Sequence, residues 1–390
     1  MTLIERVAAA VLARIATHGS LSITWASGST TVIGSGAPHA DIALRDPGAG
    51  LAIVRGGLTG FADAYMDGDV ETTDLRALLL WGAANHDAWF ATTIAKAGGR
   101  VRRAWLEVRP ERRHPRVRSM TDHYNLGNEF YEAWLDPTMT YSSARFEQPD
   151  QSLSDAQLHK YRTIASQAGL EPGMHVLEIG CGWGGFARFA AETLGCTVVG
   201  VTISDEQARY ARKIMANAGI TDKVDIRLED FRETTGTFDA VVSIEMIESI
   251  DESQWPDLFT TISNRLRAGG RAAMQIITIG DELWDRYRTS PDFIQEYIFP
   301  GGQLPAPKVL NSLAAGSGLS VEQVETFGLD YARTLQHWQD RFGAAWPKLS
   351  DSNGLDARFK RMWDLYLTVC EAGFRSGRVD VQQWLFAKAH

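Results

Sequence analysis

The sequence predicts an α/β fold: a mostly parallel, doubly wound, Rossmann-like sheet preceded by a smaller α+β unit. Three observations carry this. Between residues 174 and 279, five β-like runs alternate with helical runs. A glycine-rich turn joins the first of those strands to a helix. Before about residue 95 the rhythm differs, with short β-like runs separated by turn residues.

Leu3, Ile4, Val7, Val11, Leu12 and Ile15 recur at helical spacing. The opening segment therefore reads as an amphipathic helix and not as the continuous apolar core of a targeting signal. LSITWA (21–26), TTVIGS (30–35), ADIALRD (40–46) and LAIVRGG (51–57) are read as β-like runs forming a meander. A helix is expected over LRALLLWGAA with Asp74 as its N-cap. Asp63, Asp67 and Asp69 crowd together and are read as a solvated turn in preference to a metal site.

From Lys96 to Arg118, nine Lys and Arg face two Glu, a net +7 in a chain whose total is −9. Pro110 and Pro115 interrupt any helix there, so one reading is a solvated linker. The other is attraction to the phosphates of an anionic membrane surface, with Trp105 at the interface. The acidic remainder argues against general nucleic-acid binding. With 44% hydrophobic and 22% charged residues the composition is that of a globular chain. Three cysteines make no disulfide framework, which points to a reducing cytosol. No stretch approaches the roughly 18 apolar residues needed to span a bilayer. The chain is expected to touch a membrane without crossing it.

The strand candidates of the larger unit are 174–180, 196–203, 224–230, 238–246 and 270–279. Helical runs at 186–194, 206–219 and 255–269 separate them. Further helices and two late strands, 319–327 and 379–388, complete it.

The strongest local signal is VLEIGCGWGGFARFAAE, 176–192. Gly180, Gly182, Gly184 and Gly185 let the backbone turn tightly and approach a ligand, and the following helix offers unpaired N–H donors. A dinucleotide would also want an acid at the tip of the second strand, and Val199 to Ser204 supplies none. The E-x-G-x-G-x-G form beginning at Glu178 favours S-adenosylmethionine. Cys181 reads as packing, not as a nucleophile.

HYNLGNEFYEAWLDPTMTYSSARF (123–146), YIFPGGQLP (297–305), DYARTLQHW (330–338) and MWDLYLTVCEAGFRSG (362–377) resemble, in order, the cyclopropane-fatty-acid synthase family. GFADAYMDGD (60–69) is similar to the accessory domain of its longer bacterial members. The resemblance implies a class I methyltransferase domain over 121–390, with helical lipid-cleft additions at 281–390. It implies an N-terminal lipid-binding accessory domain over 1–95 and a basic linker over 96–120.

By the same resemblance the chain uses S-adenosylmethionine to alkylate the double bond of an unsaturated acyl chain in a phospholipid, through a carbocation. A bound bicarbonate is the family's base, and cyclopropane its product. The implied setting is cytoplasmic, peripheral at the inner membrane face. A homodimer is left open. Tyr141 and Ser142 are expected to line the cofactor cleft, with Gly180 and Gly182 at the methionine end. Thr202, Ser204 and Gln207 fall on the ribose side, and Glu229 and Asp230 at the adenine. The bicarbonate shell would include Glu248, the main chain at Ile279 and the Tyr331 hydroxyl.

Three departures stand out. Ser143 replaces a frequent Cys, Ser249 a frequent His, and Ile277 the His expected to bind bicarbonate. Gln275, two residues before Ile277, shares its strand face and is placed to donate to an anion or to a carboxylate. A plain buried Gln is the alternative. Glu245 and Glu248 both end strand four, and the motif favours Glu248 as the working carboxylate. Weakened anion capture leaves a second product class open: a methyl- or methylene-branched chain, or a furan-fatty-acid precursor. Tyr124, Phe146, Tyr297 and Tyr331 are the candidate ring faces for a cation. Trp284, Trp338 and Trp363 read as core or tunnel wall, and His123 and His337 as structural.

Overall fold

The computed structural model describes residues 1–91, 126–289 and 292–389. The basic stretch, Trp105, His123 and Tyr124 lie outside the described residues. Two compact units emerge. The first holds the chain to residue 91 together with 292–298 and 346–376, and the second holds 126–289, 299–345 and 377–389. Residues 292–298 and 346–376, expected within the domain over 121–390, group with the first unit.

In the first unit, helix Leu3–Ile15 begins with a capping box: Thr2 Oγ1 accepts the Glu5 N–H, and the Glu5 carboxylate accepts the Thr2 N–H. Strands β1 (Gly19–Thr24), β2 (Thr30–Ser35), β3 (His39–Leu44) and β4 (Val70–Glu71) follow the order β2-β1-β3-β4. The expected meander is corrected here. β1 pairs antiparallel with β2 but parallel with β3. Lying beside β1, β3 buries Ile42 and Leu44, whereas β2 buries only Ile33.

The run 51–57 is not a strand. It belongs to helix Ala49–Asp67, which kinks at Gly57 (φ 56°) and ends at the left-handed Gly68. Ile53 and Val54 suit a strand by local preference, but packing overrides that preference. Val54, Phe61, Ala62 and Met66 bury on the helix. Gly50 lies so close to the sheet that a Cβ there would sit 3.2 Å from the Leu44 side chain. Helix Leu75–Ala84 starts at Asp74, whose side chain accepts the Ala77 N–H at 2.9 Å, as expected. Helix Ala357–Arg375 packs in this unit because Arg76 Nε donates to the buried Glu371 at 2.8 Å. Arg361 also reaches the carbonyls of Tyr65 and Val70.

The second unit is built on β5 (His175–Ile179), β6 (Thr197–Thr202), β7 (Val224–Leu228), β8 (Phe238–Ile244), β9 (Leu266–Ile279), β10 (Leu319–Thr326) and β11 (Val379–Lys388). Their order is β10-β11-β9-β8-β5-β6-β7. Strands β5 to β9 are parallel, and β11 and β10 add antiparallel at one edge. Both faces are covered at the centre, so β5, β6 and β8 are buried on both sides, while the edge strands β7 and β10 carry exposed polar residues. Leu177, Ile179 and Val241 face one core, with Trp255 and Phe259. Val176, Ala240 and Val242 face the other, with Tyr161 and Phe186. Helix Trp255–Arg265 stops before the expected residue 269 because Leu266 already pairs with Phe238. Strand order reverses between β5 and β8, and the crevice beyond their carboxyl ends is where such sheets bind ligands. Among the described residues, no helix is long and apolar enough to cross a membrane.

The kinked helix makes a specific demand. A Cβ on Gly60 would stand 2.2 Å from the Ala52 carbonyl oxygen. Gly→Ala in a helix normally stabilises. Here Gly60→Ala should destabilise the protein by about 1–3 kcal/mol, the cost of overpacking. Urea unfolding checks this, and an unchanged or higher midpoint would mean the kink is wrong.

Candidate active site

The glycine turn follows β5 as the sequence suggests. Gly180 (φ 80°) bends the chain so closely beneath Met246 that a Cβ would fall 2.6 Å from its Cγ. Gly184 (φ 86°) is the N-cap of helix Gly185–Thr193, and a Cβ there would meet Met215 at 2.8 Å. The N–H groups of Gly180 and Cys181 both donate to the Val201 carbonyl, fastening the turn to β6. Cys181 is buried beneath Gly200, and burial pushes its thiol well up, in keeping with a packing role. Glu178 is buried at the end of β5, and one carboxylate oxygen has no hydrogen-bond partner. Burial raises its pKa to about 8.

At the tip of β6, Thr202 Oγ1 donates to Gln207 Oε1 at 2.8 Å, and Ser204 caps helix Asp205–Ala218. All three are buried polar residues. Glu229 and Asp230 follow β7. The Asp230 carboxylate is held by Arg232 and caps the next turn, so it is already engaged. These residues fit S-adenosylmethionine: an orphaned buried acceptor beside a glycine turn suits an α-ammonium group, and a neutral polar β6 tip suits a ribose.

The second cluster lies past β8. Ile244 ends the strand, and Glu245 takes a left-handed conformation (φ 50°) that L-residues adopt only where surroundings enforce it. Its Oε1 accepts the Ser143 N–H at 2.8 Å and the Gln275 amide at 2.7 Å. Its Oε2 accepts the Tyr331 hydroxyl at 2.7 Å. Burial raises the pKa of Glu245, against the pull of these donors and of Lys160. Glu248 Oε1 accepts the Ile277 N–H at 2.5 Å, while Oε2 is buried without a partner. Burial first, then the charge of Glu245, raises its pKa to about 8.

The structure therefore gathers Ser143, Gln275 and Tyr331, but around Glu245 and not around Glu248. The Ser143 hydroxyl donates to the Ala144 carbonyl, and only its main chain faces the carboxylate. The Ile279 N–H is given to the Pro305 carbonyl. Gln275 Oε1 accepts from Gln383 Nε2, and Gln383 Oε1 accepts from Arg145, so the amide is held from behind. Arg145 also pairs with Glu325 at 2.5 Å.

Two features escape the sequence reading. Lys160 is fully buried, donates to Ser142 Oγ at 2.7 Å and sits 4.7 Å from the Tyr161 ring centroid. Burial lowers its pKa to about 7. Its signal was available, since it falls on the buried stripe Leu153, Ala156, Gln157, Tyr161 and Ile164 of its helix. The other is a run of touching rings. Trp183, in the glycine turn, lies 4.9 Å from Tyr131, which lies 5.5 Å from Tyr141. Tyr141 lies 5.3 Å from Trp338, and Trp338 6.0 Å from Tyr331.

The other aromatic candidates sit elsewhere. Phe146 stacks on His337, and its face is covered by Arg333 at 3.8 Å. Tyr297 donates its hydroxyl to Asp63 within the first unit, and Asp67 pairs there with Arg358. Trp284, Trp338 and Trp363 are buried. Among the described residues, no His, Cys, Asp and Glu group could hold a metal ion.

Glu178 and Glu248 carry folded pKa values near 8 against a usual 4.5. The native state then binds more protons than the unfolded chain between those values, so stability is present at low pH and lost as pH rises. Lys160, lowered to about 7, acts in the opposite sense only above that pH. The melting temperature of the ligand-free protein should fall from about pH 5 to 7, and less steeply in Glu178→Gln/Glu248→Gln. Thermal scans across that window check it; a flat or rising wild-type profile contradicts it.

Comparison with known proteins identifies the family. Residues 111–384 match the family model described as mycolic acid cyclopropane synthetase. A tuberculostearic acid methyltransferase of Mycobacterium tuberculosis is 36% identical over 387 residues, covering 96% of this chain and 89% of the relative. A cyclopropane-fatty-acyl-phospholipid synthase of Escherichia coli is 33% identical over 368 residues, covering 91% and 89%. A crystal structure of a mycolic acid cyclopropane synthase complexed with SAH and CTAB superimposes with a TM-score of 0.64 at 30% identity, covering 70% of this chain and 99% of that one. The chain belongs to the mycolic acid cyclopropane synthetase family and is an S-adenosylmethionine-dependent methyltransferase of the cyclopropane-fatty-acyl-phospholipid synthase type.

Proposed function

We propose that this protein adds a one-carbon unit to the double bond of an unsaturated fatty acyl chain, carried in a phospholipid, and closes it to a cyclopropane. The observation that supports this best is the line of rings from Trp183 to Tyr331, which leads from the glycine turn to the buried carboxylates. When bound, S-adenosylmethionine supplies its sulfonium methyl to one alkene carbon, the S–C bond electrons remain on sulfur, and the neighbouring carbon is left cationic. The chain's residues answer the needs of that cation. Ring faces stabilise a nearby positive charge by about 0.5–2 kcal/mol each. An apolar, aromatic wall keeps water, the competing nucleophile, away. Gly180, Gly182 and Gly184 would hold the methionine end, Glu178 its ammonium group, Tyr141 and Ser142 the cleft wall, and Thr202, Ser204 and Gln207 the ribose. A carboxylate past β8 is needed to receive a proton.

The test is lipid mass spectrometry after incubating the purified protein with S-adenosylmethionine and vesicles of unsaturated phospholipid. The expected product gains one CH2, and fragmentation shows a ring at the former double bond. A methylene- or methyl-branched product would replace ring closure with simple alkylation. No gain on any unsaturated lipid would end the reading.

Work on lipid in place also calls for a membrane contact, and the positive run from Lys96 to Arg118 is the proposed one, at the inner face of the membrane. Each cation near an anionic surface contributes about 1 kcal/mol, so replacing Arg112, Arg113, Arg116 and Arg118 with Gln should weaken vesicle binding by roughly 100-fold or more. Co-sedimentation with anionic vesicles measures this. Unchanged binding would leave the segment a linker.

A further inference from the structure

Resting on that function, we propose that Glu245 is itself the base of the reaction, a carboxylate built into the chain where the family uses a bound bicarbonate. The bicarbonate shell expected from the motif does not fit this structure. The Tyr331 hydroxyl, the Gln275 amide and the Ser143 N–H, the donors that would grip a small anion, all end on Glu245. The Ile279 N–H is spent on Pro305, and the imidazole position is Ile277. Glu245 stands near enough for its charge to be felt at Glu248. A further anion would meet two carboxyl groups and find its donors occupied.

The geometry explains why Glu245 serves and not the glutamate that the motif favours. Its left-handed backbone turns the side chain back toward Ser143 and Tyr331. Tyr331 also closes the ring line, touching Trp338 at 6.0 Å, so the carboxylate sits at the end of the aromatic wall. The residue keeps some accessible surface, as a base must. In the step assigned to it, a Glu245 oxygen takes one proton from the newly added methyl group. The C–H electron pair forms the second ring bond to the cationic carbon, discharging the cation. Glu245 is left as a neutral acid and passes its proton to solvent before the next turnover. Glu248, with its unpartnered oxygen, is a positioning residue held by the Ile277 N–H.

The experiment compares the wild type with Glu245→Gln and Glu245→Gly in buffer stripped of carbon dioxide, then with bicarbonate or formate restored. Wild-type turnover should be indifferent to bicarbonate. Glu245→Gln should lose about 100-fold or more, the scale of general-base catalysis, while binding S-adenosylmethionine with unchanged affinity. Glu245→Gly should be inactive in stripped buffer and regain at least about tenfold with bicarbonate or formate, as its cavity admits the missing carboxylate. Line broadening of 13C-bicarbonate should appear with Glu245→Gly and not with the wild type, independently of turnover. A wild-type enzyme that stops without bicarbonate, or a fully active Glu245→Gln, overturns the assignment and leaves the lipid function standing. If Glu245→Gly does not fold, the wild-type and Glu245→Gln arms still decide. A wild type that alkylates no unsaturated lipid overturns both.

Discussion

The second unit depends on one constraint: a carboxyl group held largely away from water needs donors that favour its charged form against the upward pull of burial. Burying an ion without partners costs several kcal/mol, and partners must come from wherever the chain can supply them. Glu245 draws a main-chain N–H from Ser143, an amide from β9 and a phenol from helix Gly328–Asn353. Three segments far apart in sequence are tied to one side chain. The strained backbone at Glu245 is held because three bonds hold it. Removing any donor would leave a charge to be neutralised by protonation, and a protonated carboxyl group cannot act as a base.

The glycine turn works by the opposite means. It supplies space and main-chain polarity where Glu245 supplies charge. Between them runs the ring line, which carries no formal charge and excludes water. The division is the one the proposed reaction asks for, with a cationic donor, a short-lived cation and an anionic acceptor. The 36% and 33% identities to the two relatives extend over nearly the full chain.

Much of this was legible in the sequence. The β/α alternation of the second unit shows because a sheet covered on both faces writes continuous apolar runs, and the turn at 180–185 shows because left-handed positions demand glycine. The segment 51–57 misled because Ile53 and Val54 favour a strand locally, while the neighbours that make it a helix lie elsewhere in the chain. The return of helix Ala357–Arg375 to the N-terminal unit rests on long-range contacts such as Arg76 to Glu371. At the site, Ser143 and Tyr331 were read from motifs, and Gln275 from the two-residue period of its strand. The choice between Glu245 and Glu248 was not legible, since strand periodicity ends at Ile244 and one left-handed residue redirects the chain beyond it. Lys160 was passed over because a lysine inside an apolar stripe is usually assumed to reach solvent.

The amide pair behind Glu245 has a handedness of its own. A glutamine side chain can be turned over so that oxygen and nitrogen exchange places, and two in series can turn together. Arg145 forbids this, because guanidinium can only give hydrogen bonds. It fixes the oxygen of Gln383 toward itself, which sends the nitrogen of Gln383 to Gln275 and the nitrogen of Gln275 to the carboxylate. A cation at the rim of the sheet thereby sets the sense of a hydrogen-bond wire and guarantees that it ends in a donor. Without that polarity, the same two amides could present a carbonyl to Glu245 and hold it in its acid form.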